Sequence, residues 1–192
     1  MAENNCRRSF LLGALAAPLV AACARAADED AGKASPQAAN VTIENFSAAG
    51  TSLGKSSVPR VVKTDDEWQK LLSPESYVVT RRAGTERPFS GKYNANHADG
   101  LYGCVCCDTV LFDSKTKFES GTGWPSFWRA ISSANVNEAI DKRSVFGYTE
   151  VKCRRCDAHL GHVFEDGPEP TGLRYCMNSV SLTFKPRGGG TR

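Results

Sequence analysis

Four of the eight cysteines in this 192-residue sequence form two pairs with the spacing of metal ligands. Cys104 and Cys107 make one C-x-x-C unit, and Cys153 and Cys156 make the other. Two such turns supply the four thiolates that tetrahedral zinc prefers, and a site filled by protein ligands is structural. The same spacing also fits two disulfides or a redox-active pair. We favour zinc, and we expect loss of the metal to unfold the domain.

Cys106 and Cys176 remain when the four paired cysteines and the two near the N-terminus, Cys6 and Cys23, are set aside. The surroundings of Cys176 suit a reactive thiol. It lies in a strand-like run whose alternation places Arg174, Cys176 and Asn178 on one face. A guanidinium beside a thiol favours the thiolate, so Arg174 should lower the pKa of Cys176 and make it a nucleophile. The alternative is a buried, inert cysteine.

Two of the three histidines, His159 and His162, lie three positions apart around Gly161. In a regular strand they would face opposite ways, so acting together requires a bend, which glycine permits. Histidine carries protons near neutral pH, and Asp166 is available to orient one ring. Structural histidines or further metal ligands are the alternative. Trp124, in a glycine-rich turn, offers an aromatic face on which a methionine methyl group packs well.

The elements that must position these residues are mainly β-strands. Strand-like runs occupy residues 101–105, 109–112, 145–153, 160–164 and 175–184. Two short helices precede them, because Thr64 and Glu67 form a capping box and Ser73-Pro74 fits an N-cap followed by proline. The predicted fold class is therefore mainly β and antiparallel, with small N-terminal helices and a structural zinc knuckle pair.

The N-terminal residues 1–26 have the pattern of an export signal. Arg7-Arg8 precedes an apolar run at residues 10–24, which is shorter than the ~20 residues of a membrane span and resembles a twin-arginine signal peptide. Cleavage after Ala26 and lipidation of Cys23 both remain open. Either one places the protein in the periplasm, soluble or membrane-anchored.

The rest of the chain divides by composition. Residues 27–60 read as a flexible linker with one short docked strand at 41–46, residues 61–186 as the compact domain, and residues 187–192 as a disordered tail. The net charge of +3 is small, and the basic residues form no stripe. No nucleic-acid partner is therefore expected.

Several of these motifs occur together in one known family. The segments GTGWPSF at 121–127, HLGHVF at 159–164 and GLRYCMN at 172–178, with the two C-x-x-C units, resemble methionine-R-sulfoxide reductase B. The resemblance extends in uninterrupted order over residues 64–186.

The resemblance implies two antiparallel sheets, with zinc remote from the active site. It also implies that Cys176 attacks the sulfoxide sulfur and becomes a sulfenic acid, while Trp124 holds the substrate methyl group and helps to select the R epimer. His159, His162 and Asn178 would bind and protonate the sulfoxide oxygen, and Asp166 and Arg174 would support them. The substrates would be oxidised proteins in need of repair.

Thr122 departs from the family pattern, because many members have a resolving cysteine at this position. We therefore expect an external thioredoxin-like protein to reduce the sulfenic acid, and we expect a monomer. Two other classes of protein share some of these residues. A zinc-ribbon binding module explains neither Cys176 nor the histidine pair, and a Cys-His hydrolase needs an oxyanion hole, ideally at a helix N-terminus, whereas Cys176 is in a strand-like run.

Overall fold

The computed structural model describes residues 39–188, which contain two α-helices and eleven β-strands. The helices are α1 (Asp65–Leu71) and α2 (Pro74–Arg82). The strands are β1 (Asn40–Phe46), β2 (Ser52–Pro59), β3 (Gly100–Cys104), β4 (Val110–Asp113), β5 (Lys117–Phe118), β6 (Ser126–Phe127), β7 (Val136–Ile140), β8 (Thr149–Cys153), β9 (His159–Phe164), β10 (Arg174–Met177) and β11 (Leu182–Pro186). Short 3-10 helices lie at Ser114–Thr116 and Ser179–Ser181. No helix within residues 39–188 is long and apolar enough to cross a membrane.

The strands form three antiparallel sheets. The largest has the order β5-β6-β10-β9-β8-β7, a second has the order β11-β3-β4, and β1 pairs with β2 alone. The two larger sheets share one core, in which Tyr102, Phe112 and Phe127 are fully buried. The rings of Phe112 and Phe127 stack with centroids 4.5 Å apart. The prediction of a mainly β fold is confirmed, but the third sheet, formed by β1 and β2, adds to the two sheets that were expected. β10 and β9 lie at the centre of the largest sheet.

Both predicted helices are present with their predicted caps. The Thr64 hydroxyl accepts a hydrogen bond from the Glu67 backbone N–H, and the Glu67 carboxylate accepts one from the Thr64 backbone N–H. Ser73 caps α2 in the same way, with Pro74 in its first turn. Capping satisfies backbone donors that a helix start leaves unpaired, which is why such short helices form here.

Part of the predicted linker is instead a β-hairpin. β1 and β2 pair over residues 40–59, and β1 matches the short strand expected at 41–46. The hairpin docks through the Asn135 side chain, which accepts from the Glu44 N–H at 2.8 Å and donates to the Glu44 carbonyl at 2.9 Å. The linker prediction is therefore wrong for residues 40–59. The predicted signal peptide and residues 27–38 lie outside the described residues.

The predicted tail also begins too early. Arg187 belongs to the domain, because its guanidinium pairs with Asp99 and Asp113 and bonds to the Ala49 carbonyl. Residues 189–192 lie outside the described part of the chain.

The strand predicted at 175–184 is interrupted. It consists of β10, the 3-10 turn at Ser179–Ser181 and β11, which join different sheets. The Glu86 carboxylate causes the break, because it accepts the backbone N–H groups of Ser179 and Val180 at 2.7 and 3.0 Å in place of a strand partner. Regular strand alternation therefore ends at Met177, and Asn178 follows the strand while still bordering the same cavity as Cys176. The strand predicted at 145–153 likewise begins only at Thr149.

Candidate active site

Cys176 lies in the middle of β10, between two partner strands. Its register partners are His162 on β9 and Ser126 on β6. The half-buried thiol opens into a surface cavity of about 350 Å³. The cavity wall includes Trp124, Tyr148, His162, Phe164 and Asn178. A thiol, an imidazole and aromatic side chains therefore line one cavity.

The thiol is less acidic than the sequence suggested. Burial raises the pKa of Cys176, and the positive charge of Arg174 and a hydrogen bond from Thr122 oppose that effect without cancelling it. Arg174 thus acts in the predicted direction, but desolvation of the thiolate outweighs it.

Asp166 supports Arg174 rather than a histidine. Its two carboxylate oxygens accept the Arg174 Nε and Nη2 hydrogens, each at 2.8 Å. The guanidinium carbon also lies 4.4 Å from the centre of the Phe164 ring. A bidentate pair and a stacking contact fix the orientation of a planar guanidinium, so Arg174 is held in place beside Cys176.

The two histidines converge as expected, with ring centres 5.3 Å apart. His162 reaches the cavity, and its Nε2 lies 3.1 Å from Asp141 Oδ2. His159 is buried, and its Nδ1 lies 2.7 Å from Glu150 Oε1. The Nε2 of His159 is buried without a hydrogen-bond partner among the described residues. Burial is the main reason that the pKa of His159 is lowered, so this ring is neutral near pH 7.

The carboxylates behind the histidines were not predicted. Asp141 follows β7, Glu150 lies on β8, and Arg143 binds both of them: Asp141 Oδ1 at 2.9 Å and Glu150 Oε1 at 2.7 Å. The hydrogen bonds from Arg143 are the main reason that the pKa of Asp141 is well below its usual range. An ionised carboxylate on one ring nitrogen fixes the tautomer and the ring orientation. No local motif marks these acids, because they meet the histidines only through the register of the sheet.

Asn178 and Trp124 are fixed by backbone contacts at the cavity wall. The Asn178 amide donates to the Leu160 carbonyl at 3.0 Å and accepts from the Glu86 N–H at 2.9 Å. The indole N–H of Trp124 donates to the Glu86 carbonyl at 3.2 Å. Asn178 therefore already spends much of its hydrogen-bonding capacity on the fold, while the apolar face of Trp124 remains available to a ligand.

The four predicted metal ligands form one cluster. The Sγ atoms of Cys104, Cys107, Cys153 and Cys156 all lie within 4.8 Å of one another. The Cys104–Cys156 and Cys107–Cys153 sulfur distances are 3.6 and 3.5 Å. Four sulfurs about 2.3 Å from a central tetrahedral ion lie roughly 3.8 Å apart, whereas a disulfide is about 2.05 Å long. The cluster therefore fits a structural metal ion, and none of the cysteines within residues 39–188 forms a disulfide.

Comparisons with known proteins show the family to which the chain belongs. Residues 72–186 match the SelR domain model. Peptide methionine sulfoxide reductase MsrB of Pseudomonas putida strain GB-1 is 57% identical over 128 residues, covering 67% of this chain and 98% of that protein. The MsrB of Pseudomonas entomophila strain L48 is 59% identical over 128 residues with the same coverage, and that of P. putida strain W619 is 58% identical over 130 residues, covering 68% and 98%. The chain belongs to the methionine sulfoxide reductase B family and is an oxidoreductase of that family.

Proposed function

We propose that this enzyme reduces the R epimer of methionine sulfoxide in proteins and peptides to methionine, with Cys176 as the nucleophile. The observation that carries the proposal is the pairing of Cys176 with His162 across β10 and β9, at the wall of a cavity that also contains Trp124. Sulfoxide reduction needs a thiolate that attacks the sulfoxide sulfur and a donor that protonates the sulfoxide oxygen. The register of β10 and β9 places a thiol and an imidazole side by side for these two roles.

The reaction balances without another redox group. The Cys176 thiolate attacks the sulfoxide sulfur and the sulfoxide oxygen takes up a proton. The S–O bond of the substrate then breaks, and the oxygen forms an S–O bond to Cys176 as a hydroxyl group. Methionine leaves reduced by two electrons, and the cysteine sulfur becomes a sulfenic acid. His162 faces the cavity and His159 lies behind it, so these two rings are the candidates for binding and protonating the oxygen. A neutral ring keeps its one hydrogen on the nitrogen that faces its carboxylate, so the ring that acts as the acid must first take up a proton on its other nitrogen. Asn178 borders the same cavity as a further contact.

The substrate class follows from the apolar side of the cavity. Trp124, Tyr148 and Phe164 provide aromatic surface for a thioether methyl group. Large exposed apolar side chains continue outward from it: Phe146 stacks on Tyr148, and Phe89 contacts the backbone next to Trp124. Such a rim suits a methionine sulfoxide within a polypeptide better than a free amino acid.

Regeneration is assigned to an external dithiol protein of the thioredoxin type. The residue hydrogen-bonded to the Cys176 sulfur is Thr122, at 3.9 Å, and a hydroxyl cannot form a disulfide. Within residues 39–188 the other cysteines are the four of the metal cluster and Cys106, inside its first C-x-x-C unit. The external dithiol reduces the sulfenic acid to the thiol, becomes a disulfide and releases water.

The metal is assigned as zinc, because four thiolates in a closed tetrahedral cluster are its usual structural ligands. When bound, it would hold together the turns that follow β3 and β8, and it takes no part in the reaction. Export through the twin-arginine signal, with cleavage after Ala26 or lipidation of Cys23, a periplasmic location and a monomeric state complete the proposal.

Turnover of separate R and S epimers of a peptidyl methionine sulfoxide, with dithiothreitol as reductant, tests the proposal. We expect consumption of the R epimer by the wild type and by Cys106→Ser, and none by Cys176→Ser. Activity of the metal-loaded Cys176→Ser variant would refute the assigned nucleophile. Consumption of the S epimer at an equal rate would refute the assigned stereochemistry.

A further inference from the structure

Three hydroxyl groups form a hydrogen-bonded chain that ends at the Cys176 sulfur. The Thr122 Oγ1 lies 3.9 Å from Cys176 Sγ and 2.8 Å from Ser120 Oγ. The Ser120 Oγ lies 2.7 Å from Ser126 Oγ, which in turn lies 3.2 Å from the Trp124 carbonyl oxygen. The chain therefore connects the thiol, through side chains alone, to a fixed backbone acceptor.

The sheet and a glycine-flanked turn place the chain beside Cys176. Ser126 is fully buried and is the register partner of Cys176 across β6 and β10. Thr122 lies between Gly121 and Gly123, whose φ values of 72° and 92° are in the region that favours glycine. This turn brings the Thr122 hydroxyl to the sulfur.

The hydrogens in this chain have two complete arrangements. Each hydroxyl has one hydrogen to donate and accepts others. When Cys176 is a thiol, its S–H donates to Thr122, and the donation runs through Ser120 and Ser126 to the Trp124 carbonyl. When Cys176 is a thiolate, all three hydroxyls reverse: Ser126 donates to Ser120, Ser120 to Thr122, and Thr122 to the sulfur. Reversal gives up only the bond to the carbonyl.

We propose that this reversible hydroxyl chain stabilises the thiolate of Cys176, with Thr122 as its positioning residue. The inference deepens the proposed function, since it rests on Cys176 being the nucleophile. Charged and titratable groups also face the sulfur from β10 and β9: Arg174 beside it, Asp166 through Arg174, and His162 opposite. β6 contributes no charge, so on that side the hydroxyls are the groups that respond to the thiolate.

The rate of Cys176 alkylation by iodoacetamide between pH 6 and 10, followed by peptide mapping of the metal-loaded full chain, tests the proposal. Thr122→Val removes the hydroxyl and keeps the shape, and we expect alkylation at pH 7 to slow by about 3- to 10-fold, because the bond to a charged acceptor is lost. The difference should narrow towards pH 10, where a larger fraction of the thiol is ionised in both proteins. Thr122→Ser should restore the wild-type profile, and Ser120→Ala should have a smaller effect in the same direction. Thr51→Val, in the exposed hairpin turn, is the matched control.

An unchanged alkylation profile in Thr122→Val would overturn the proposal, as would equal slowing in Thr122→Ser. Turnover of methionine sulfoxide by the same samples separates this test from that of the proposed function. If the wild type lacks turnover while Thr122→Val still slows alkylation, the proposed function fails and the hydroxyl chain stands. If turnover is normal and all alkylation profiles coincide, the chain fails and the function stands.

Discussion

Replacing Gly161 with alanine should separate the two strands that carry the reaction. Gly161 lies on β9 opposite Met177, one residue before His162. A Cβ at this position would lie 2.1 Å from the Cys176 carbonyl oxygen and 3.0 Å from the Met177 Cα. Carbon–oxygen contacts between neighbouring strands are about 3.3 Å or longer, so the strands must move apart by roughly 1 Å. Because both atoms belong to the backbone, no side-chain rotation relieves the clash.

The displacement acts directly on the distance between Cys176 and His162. A misplacement of about 1 Å between reacting groups is worth on the order of 100-fold in rate, so we expect kcat/KM for methionine sulfoxide to fall by about that factor. Overpacking of this kind also costs about 1–3 kcal/mol of unfolding free energy. Steady-state turnover and urea unfolding of the same metal-loaded samples measure the two effects separately.

Gly54→Ala is the control for backbone strain alone. Gly54 has a φ of 88°, and a Cβ there meets nothing within 4 Å. That variant should lose about 1–2 kcal/mol of stability and keep full activity. A folded Gly161→Ala enzyme with wild-type kcat/KM would show that the close approach of β9 to β10 does not position the reacting groups.

Three further perturbations follow from the site. Removing the metal with a chelator, or removing one ligand as in Cys107→Ser, should abolish cooperative unfolding, because binding worth ~10–16 kcal/mol matches the whole stability of a domain at ~5–15 kcal/mol; circular dichroism with metal analysis checks this, and an unchanged melting transition in metal-free protein would contradict it. Arg143→Gln should raise the pKa of His159, since Arg143 helps to lower it, and should move the alkaline limb of the kcat/KM profile to higher pH. Because Arg143 is half-exposed, its ion pairs contribute little, and the accompanying loss of kcat/KM should be at most roughly 5-fold. The comparison is Lys142→Gln at the neighbouring exposed position, which should behave as wild type. Because burial raises the pKa of Cys176, its thiolate fraction should increase about 10-fold per pH unit from pH 6 to 8. An alkylation rate that is already constant at pH 7 would show that the pKa of Cys176 is lowered instead.

Features encoded over a few residues were predictable from the sequence. The caps of α1 and α2 depend on Thr64 and Ser73 bonding to groups three residues ahead, and such spacing is visible in the chain. The C-x-x-C units likewise indicate metal ligands, because each unit is a single short turn whose spacing is visible in the sequence. The convergence of His159 and His162 followed from the need for a bend at a glycine.

Features set by distant residues were not predictable. Glu86 binds the Ser179 backbone from 93 positions away and ends the strand at Met177, whereas periodicity alone extended that strand to Phe184. Asp141 and Glu150 meet the histidines only after β8 pairs with β9. The second hairpin strand is mostly exposed and lacks an apolar face, which is why its sequence resembled a linker.

The raised pKa of Cys176 affects both its resistance to oxidation and its reactivity as a nucleophile. A thiol kept mostly protonated resists oxidation between turnovers, because susceptibility follows thiolate character. The thiolate that does form is intrinsically more nucleophilic, since nucleophilicity rises with thiol pKa. Arg174 and Thr122 keep the pKa of Cys176 from rising further, and His162 is the register partner of Cys176 on the neighbouring strand β9. Under the proposed function, the thiol that loses a proton and the histidine that would deliver one to the sulfoxide oxygen line the same cavity, so both proton transfers can occur beside one bound substrate.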